Sequence, residues 1–216
     1  LVFELLAKLT ELIVRYAMRQ AEAGADAVQF FDTWAGVLSL ADWNRLVRPH
    51  LVQLLDATKS LGIPRILFVQ DAPHLVSAYA DLPSEALAVD WREDLPALRH
   101  HVGPKKTLQG NLDPAILLAG PEATRKATRE LLSRVPPQGH IVNLGHGIMP
   151  EAPIASVEPS GENATARIAS SAAVAAWRAG CKASSAFFRI PSAASTAVFA
   201  VATLAAFFCS SAFARF

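Results

Sequence analysis

Ile141-Val-Asn-Leu-Gly-His-Gly147 is the stretch on which the fold reading turns. A short apolar run breaks there into a histidine flanked by Gly145 and Gly147, the pattern of a buried strand that delivers an imidazole onto a tight turn. Taken alone, an ordinary loop histidine explains it equally well. Four earlier apolar runs end in similar polar punctuation, and that repetition gives His146 its weight.

Working outward, residues 3–23 carry Leu5, Leu6, Leu9, Leu12, Ile13, Tyr16, Ala17 and Gln20 on one broad helical face, and Gly24 stops the helix. Ala25–Phe31 reads as a strand ending in Asp32-Thr-Trp-Ala-Gly36. Ser39 is an N-cap for a helix to about Ser60. Arg65–Val69 is a second strand ending at Gln70-Asp71, and residues 73–82 form a short helix or helical loop between Pro73 and Pro83. Ala86–Val89, ending at Asp90-Trp91, is a third strand, followed by a helix over 94–102. Thr107–Gln109, ending at Gly110-Asn111, is a fourth. Asp113-Pro114 and Gly120-Pro121 are two helix starts, the second running to about Val135. Ile141–Asn143 is the fifth strand.

Strands alternating with helices across short connections predict an α/β fold with a parallel sheet. A five-stranded open sheet would gather its ligand at one switch point. Polar residues at all five strand ends favour a barrel, where functional groups follow the C-terminal ends of strands. A closed (β/α)8 TIM barrel needs eight units, so about five βα units predict its later part. The chain starts at Leu1 and enters an amphipathic helix at once, which is expected of a piece of a longer protein.

The net charge of +1 gives no sign of nucleic-acid binding. It hides a division: residues 1–158 hold 15 Lys+Arg and 18 Asp+Glu, whereas residues 159–216 hold five and one. All six histidines lie in the first part, and both cysteines, Cys181 and Cys209, in the second. A body without thiols has neither disulfide nor thiolate-bound metal, and fits a cytoplasmic protein. Charges through the apolar face of the first helix argue against a signal peptide. The division places a boundary near Val157, with residues 1–157 as the partial barrel and 158–216 as a tail. Of the last 58 residues, 19 are Ala and 9 Ser, and Ile190–Ala214 carries no charge over 25 residues. That run is long enough to span a bilayer. Three readings stand: a membrane anchor at 190–214, a low-complexity tail, or a stretch translated out of frame, which the abrupt change in charge and Cys usage favours.

Five blocks in order carry a resemblance: Gly24-Ala-Asp-Ala-Val-Gln29, Phe31-Asp-Thr-Trp-Ala-Gly36, Val89-Asp-Trp-Arg92, Leu108-Gln-Gly-Asn-Leu-Asp-Pro114 and Asn143-Leu-Gly-His-Gly147. Residues 1 to about 157 resemble the later half of uroporphyrinogen decarboxylase. The resemblance implies a carboxy-lyase of haem biosynthesis that converts uroporphyrinogen III to coproporphyrinogen III by removing four acetate carboxyls. It implies no metal and no organic cofactor, and a homodimer. His146 matches the family's substrate-binding histidine, and Thr33 stands where the family has a substrate-binding Ser or Thr. Asp90 and Asn111 are expected to orient neighbours or cap loops as much as to contact substrate.

Other polar residues read as structural. Asp32 and Asp113 are caps, and Gln109 and Asn143 are buried polar groups satisfied inside the fold. Trp34 and Trp91 are packing residues. His100-His101 close a short helix, and His50, His74 and His140 show no partner.

The family's carboxylate-binding arginines, its pyrrole-binding aspartate and its cleft tyrosine belong to the earlier half, so no catalytic residue is assigned within these 216 residues. The chain alone is expected to fold poorly and to lack decarboxylase activity. Two alternatives remain. A corrinoid or thiol methyltransferase of the same barrel superfamily would hold zinc through His and Cys, and the body has no Cys. A membrane-tethered domain without enzymatic activity would need a native tail.

Overall fold

The computed structural model describes residues 1–157, and the readings of the tail fall outside them. Two compact units divide the described chain, Leu1–Glu85 and a second beginning at Ala86.

In the first unit, α1 (Val2–Glu22) is followed by β1 (Val28–Asp32), which pairs in parallel with β2 (Arg65–Val69) from Val28↔Arg65 to Asp32↔Val69. A parallel pair needs a long crossover, supplied by α2 (Leu40–Asp42) and α3 (Arg48–Ala57). Ser39 caps this stretch as expected, its hydroxyl accepting from the Asp42 amide at 3.1 Å. The single helix read from the sequence is interrupted by a π turn over Trp43–Val47. Pro49 explains it, because an unbroken α-helix would draw an amide proton from residue 49 to the Arg45 carbonyl, and proline has none. A 3-10 turn at Pro73–Leu75 leads into α4 (Val76–Tyr79).

β1 starts later than the sequence predicts, after a loop through Gly24 at φ +96°. β2 is buried along its whole length, as strands covered on both faces are. On α1, Thr10 and Ala17 are fully buried, while Leu12, expected on the apolar face, is exposed. The Thr10 hydroxyl donates to the Leu6 carbonyl and lies 3.3 Å from His50 Nδ1 on α3.

The buried guanidinium of Arg65 begins β2. It donates to the Leu55 carbonyl, to the Pro83 carbonyl at 2.9 Å and to the Glu85 carboxylate, whose Oε2 also accepts from the Arg65 amide at 2.8 Å. Burial alone would raise the Glu85 carboxyl, but Arg65 outweighs it and holds Glu85 below its ordinary range.

In the second unit, β3 (Ala86–Ala88), β4 (Thr107–Gln109) and β5 (His140–Ile141) pair in parallel, in that order. α5 (Leu95–Val102) is capped by Asp94, and Asp113 caps as expected, accepting from the Ala115 amide at 2.8 Å. It opens a 3-10 helix, Pro114–Ala119, and α6 (Pro121–Arg134) follows. Arg99 on α5 ties three loop carbonyls, Gly103, Lys106 and Gly139. β5 is shorter and earlier than predicted. Val142 and Asn143 leave the strand, but the chain stays beside β4's extension: the Leu112 amide donates to Asn143 at 3.0 Å and the Gly145 amide to Leu112 at 2.7 Å. Among the described residues, no helix is long and apolar enough to cross a membrane.

Candidate functional site

At the end of β1, Asp32 enters a turn of Thr33, Trp34, Ala35 and Gly36. Gly36 abuts the chain after β2 so closely that a Cβ there would overlap the Asp71 carbonyl oxygen. The Gln70 amide donates to the Asp32 carbonyl at 2.9 Å, so the two strand ends are tied. Thr33 is half-buried. Trp34 is exposed, contrary to its reading as a packing residue, as are Phe31, Val37 and Leu40 around it.

Asp32 also departs from its reading as a cap. Its Oδ2 is closed off from solvent and has no hydrogen-bond partner. Burial pushes the carboxyl up to about 6; the Trp43 indole N–H and the amides of Trp34 and Ala35 pull in the opposite direction without cancelling it. Their influence falls short of satisfying the group, since Trp43 Nε1 is itself buried and unpartnered.

In the second unit, Asp90 follows β3 and is fully buried. Its carboxylate accepts from the Arg92 amide at 2.9 Å and from Arg92 Nη1 at 3.1 Å to each oxygen. The Arg92 guanidinium lies 4.4 Å from the centre of the Trp91 ring, a cation–π contact on an exposed tryptophan that the sequence reading had placed in the packing. Asn111, buried after β4, donates to the Asp90 carbonyl at 3.0 Å and to the Glu93 carbonyl at 2.8 Å. Both residues therefore orient neighbours. Gln109 is buried as expected; Asn143 is exposed, its Oδ1 accepting only locally from the Leu144 amide at 2.9 Å.

Gly145 lies against the Trp91 backbone with no room for a side chain, and a Cβ would come within 2.6 Å of the Trp91 Cα. Gly147 has open space around it. His146, between them, is exposed. Among the described residues, neither the His146 ring nor the Thr33 hydroxyl is held in a hydrogen bond, which leaves both to meet a ligand.

All three histidines read as partnerless have partners. His74 Nε2 lies 2.9 Å from the Leu38 carbonyl, and His50 contacts Thr10. His140 is buried on β5 with Nε2 2.7 Å from the Gly110 carbonyl, a bond that requires Nε2–H. Burial lowers its pKa and nearby Arg99 adds to that, against the Gly110 bond, which raises it. No spacing in the sequence announces these contacts, because each joins residues 30 or more positions apart. Among the described residues, no three His, Cys, Asp or Glu side chains gather as a metal site.

Within the first unit the Thr33 hydroxyl follows β1, and within the second the His146 imidazole follows β5. A family model described as "Uroporphyrinogen decarboxylase (URO-D)" matches residues 1–161. Proteins named uroporphyrinogen decarboxylase are similar over a comparable length. One from Nocardia farcinica is 41% identical over 154 residues, 68% of this chain and 44% of the relative. One from Streptomyces coelicolor is 43% identical over 148 residues, 68% of this chain and 42% of the relative. One from Staphylococcus aureus strain Newman is 40% identical over 151 residues, 69% of this chain and 44% of the relative. The chain thus spans less than half the length of these curated relatives. With the family model covering most of its residues, the chain belongs to the uroporphyrinogen decarboxylase family.

Proposed function

We propose that residues 1–157 form the later part of a (β/α)8 barrel that decarboxylates uroporphyrinogen III to coproporphyrinogen III, with residues 158–216 a separate tail. The observation that carries this reading is that Thr33 and His146 are both unengaged, each on a turn that follows a parallel strand and that a glycine packs tightly against the neighbouring backbone. Thr33 donates its hydroxyl to a substrate carboxylate, and His146 binds a second carboxylate or a pyrrole edge, or shuttles a proton. Asp90 and Asn111 support the turn beside His146.

Loss of CO2 from a pyrrole acetate needs a protonated ring to accept the electron pair, and a dry site that favours loss of charge. The groups for ring protonation and pyrrole binding belong to the preceding half of the barrel. Exposed Phe3 and Leu12 on α1, Phe31 on β1, and Val37 and Leu40 after β1, are apolar surface that a complete barrel or a second subunit would cover. The complete protein acts without a cofactor, in the cytoplasm, as a homodimer.

The test is complementation. The chain alone should release no CO2 from uroporphyrinogen III, and activity should appear when the N-terminal half of the Nocardia farcinica relative is supplied. Within that assembly, Thr33→Ala and His146→Ala should each lower catalytic efficiency by roughly tenfold to a hundredfold, the loss of one or two polar contacts to a charged group. Activity of the assembly that survives both changes would remove these residues from the site.

A further inference from the structure

Arg92 has no part in the function proposed for Thr33 and His146. Among the described residues, it is the single arginine or lysine in the segments that run from each strand to the next helix, or from β5 to residue 157. Its guanidinium is held from two sides. Nη1 lies 3.1 Å from each oxygen of the fully buried Asp90 carboxylate, and the guanidinium carbon lies 4.4 Å from the centre of the Trp91 ring. The turn that carries it is fixed as well. Asn111 spans the turn, donating to the Asp90 carbonyl at 3.0 Å and to the Glu93 carbonyl at 2.8 Å. Gly145 lies against the Trp91 backbone with no room for a side chain, so Arg92 and His146 each stand one residue beyond the same backbone contact. With all these ties the Arg92 side chain is still 39% exposed.

We propose that Arg92 is a substrate-binding residue: anchored by Asp90 and Trp91, its guanidinium holds a carboxylate of the tetrapyrrole on the turn beside His146. The identity of the ligand rests on the proposed function. Each pyrrole of uroporphyrinogen carries an acetate and a propionate, and a site that excludes water accepts such ions only beside fixed donors and positive charge. A guanidinium offers a planar fork of N–H donors that matches a carboxylate, and both side-chain bonds to Asp90 leave from one nitrogen, Nη1. Asp90 offsets part of the charge, so recognition comes from the geometry of the fork as much as from its sign. Clamping between a carboxylate and an indole also removes in advance the rotamer freedom that a long side chain would lose on binding.

The experiment uses the full chain assembled with the N-terminal half of the Nocardia farcinica relative, only this chain being 15N-labelled, and uroporphyrin as the probe. In the wild type, the Arg92 Nε–H signal should move as uroporphyrin saturates the assembly. Arg92→Lys keeps a cation beside Asp90 but loses the fork, and should bind uroporphyrin several-fold more weakly. Arg92→Gln alone leaves a buried carboxylate unpaired and endangers the fold, so it is measured on an Asp90→Asn background. There the added Arg92→Gln should weaken binding about tenfold relative to Asp90→Asn, the loss of one contact to a charged group. An Arg92 that serves only as the counter-ion of Asp90 would leave the Nε–H signal still and make the added change silent; either result overturns the proposal while the functional reading stands. A wild-type assembly that binds no uroporphyrin overturns the functional reading, and the Arg92 assignment with it.

Discussion

Gly145 presses its backbone against that of Trp91, leaving a would-be Cβ 2.7 Å from the Trp91 Cβ, whereas Gly147 two residues on meets nothing within 4 Å. The two glycines flanking His146 are therefore unequal. Gly145→Ala must displace either Trp91 or the turn carrying the imidazole, at a cost of roughly 1–3 kcal/mol for overpacking. Gly147→Ala should be nearly silent. In the complemented barrel, Gly145→Ala should weaken uroporphyrin binding at least tenfold, and the matched Gly147→Ala less than twofold. Equal effects would show that the close approach does not set the histidine.

Asn111 braces the loop after β3 through two carbonyls, those of Asp90 and Glu93. Asn111→Leu preserves bulk and removes both donors, leaving buried carbonyls unmet. A loss of about 1–3 kcal/mol is expected in urea unfolding, with the Arg92 and Trp91 signals shifting in the folded spectrum.

Glu85→Gln removes the charge facing the buried Arg65 guanidinium. Arg65 is buried but the Glu85 side chain is half exposed, so solvent screens the pair and a loss of only about 1 kcal/mol is expected from the first unit. The sign with pH follows from Glu85's depressed pKa: its contribution is full above the ordinary 4.5 and is lost as pH falls through the lower folded value. Wild type and variant should therefore converge in acid. A constant gap down to pH 3 would point to shape rather than charge.

His140 sets an acid limit on the second unit. A base whose folded pKa lies below its free value of 6.5 favours the neutral ring in the fold. Its stability is complete above pH 6.5 and is lost as pH falls through the depressed folded value. His140→Gln should flatten that part of the unfolding profile. Asp32 runs the other way: its raised carboxyl leaves stability whole below 3.8 and drains it as pH rises through about 6, by at most about 3 kcal/mol. Asp32→Asn should accordingly stabilise the first unit at pH 7.5 and scarcely at all at pH 4, measured by chemical denaturation.

The strands were legible where period and punctuation agree. Arg65–Val69 and Thr107–Gln109 fall where the apolar runs place them, and Ser39 and Asp113 cap as their side chains predict. β5 was displaced because Val142 is as apolar as Ile141, and only the long-range pairing with Leu112 shows where the strand yields. Pro49 did carry the warning of the π turn. The exposure of Trp34 and Trp91 was hidden, since an aromatic ring reads as core unless its neighbours in space are known. The same blindness covered His140, Arg65 and Asp32, whose surroundings are assembled from residues distant in sequence.

The Arg65 clamp also bears on the timing of synthesis. Its carboxylate partner lies twenty residues downstream, at the last position of the first unit. At roughly 5–20 residues per second, a ribosome takes about one to four seconds to make that interval. During it the guanidinium lacks its native partner Glu85, so burying β2 early is penalised. Docking of that strand is thereby deferred until Glu85 has been translated and has left the exit tunnel.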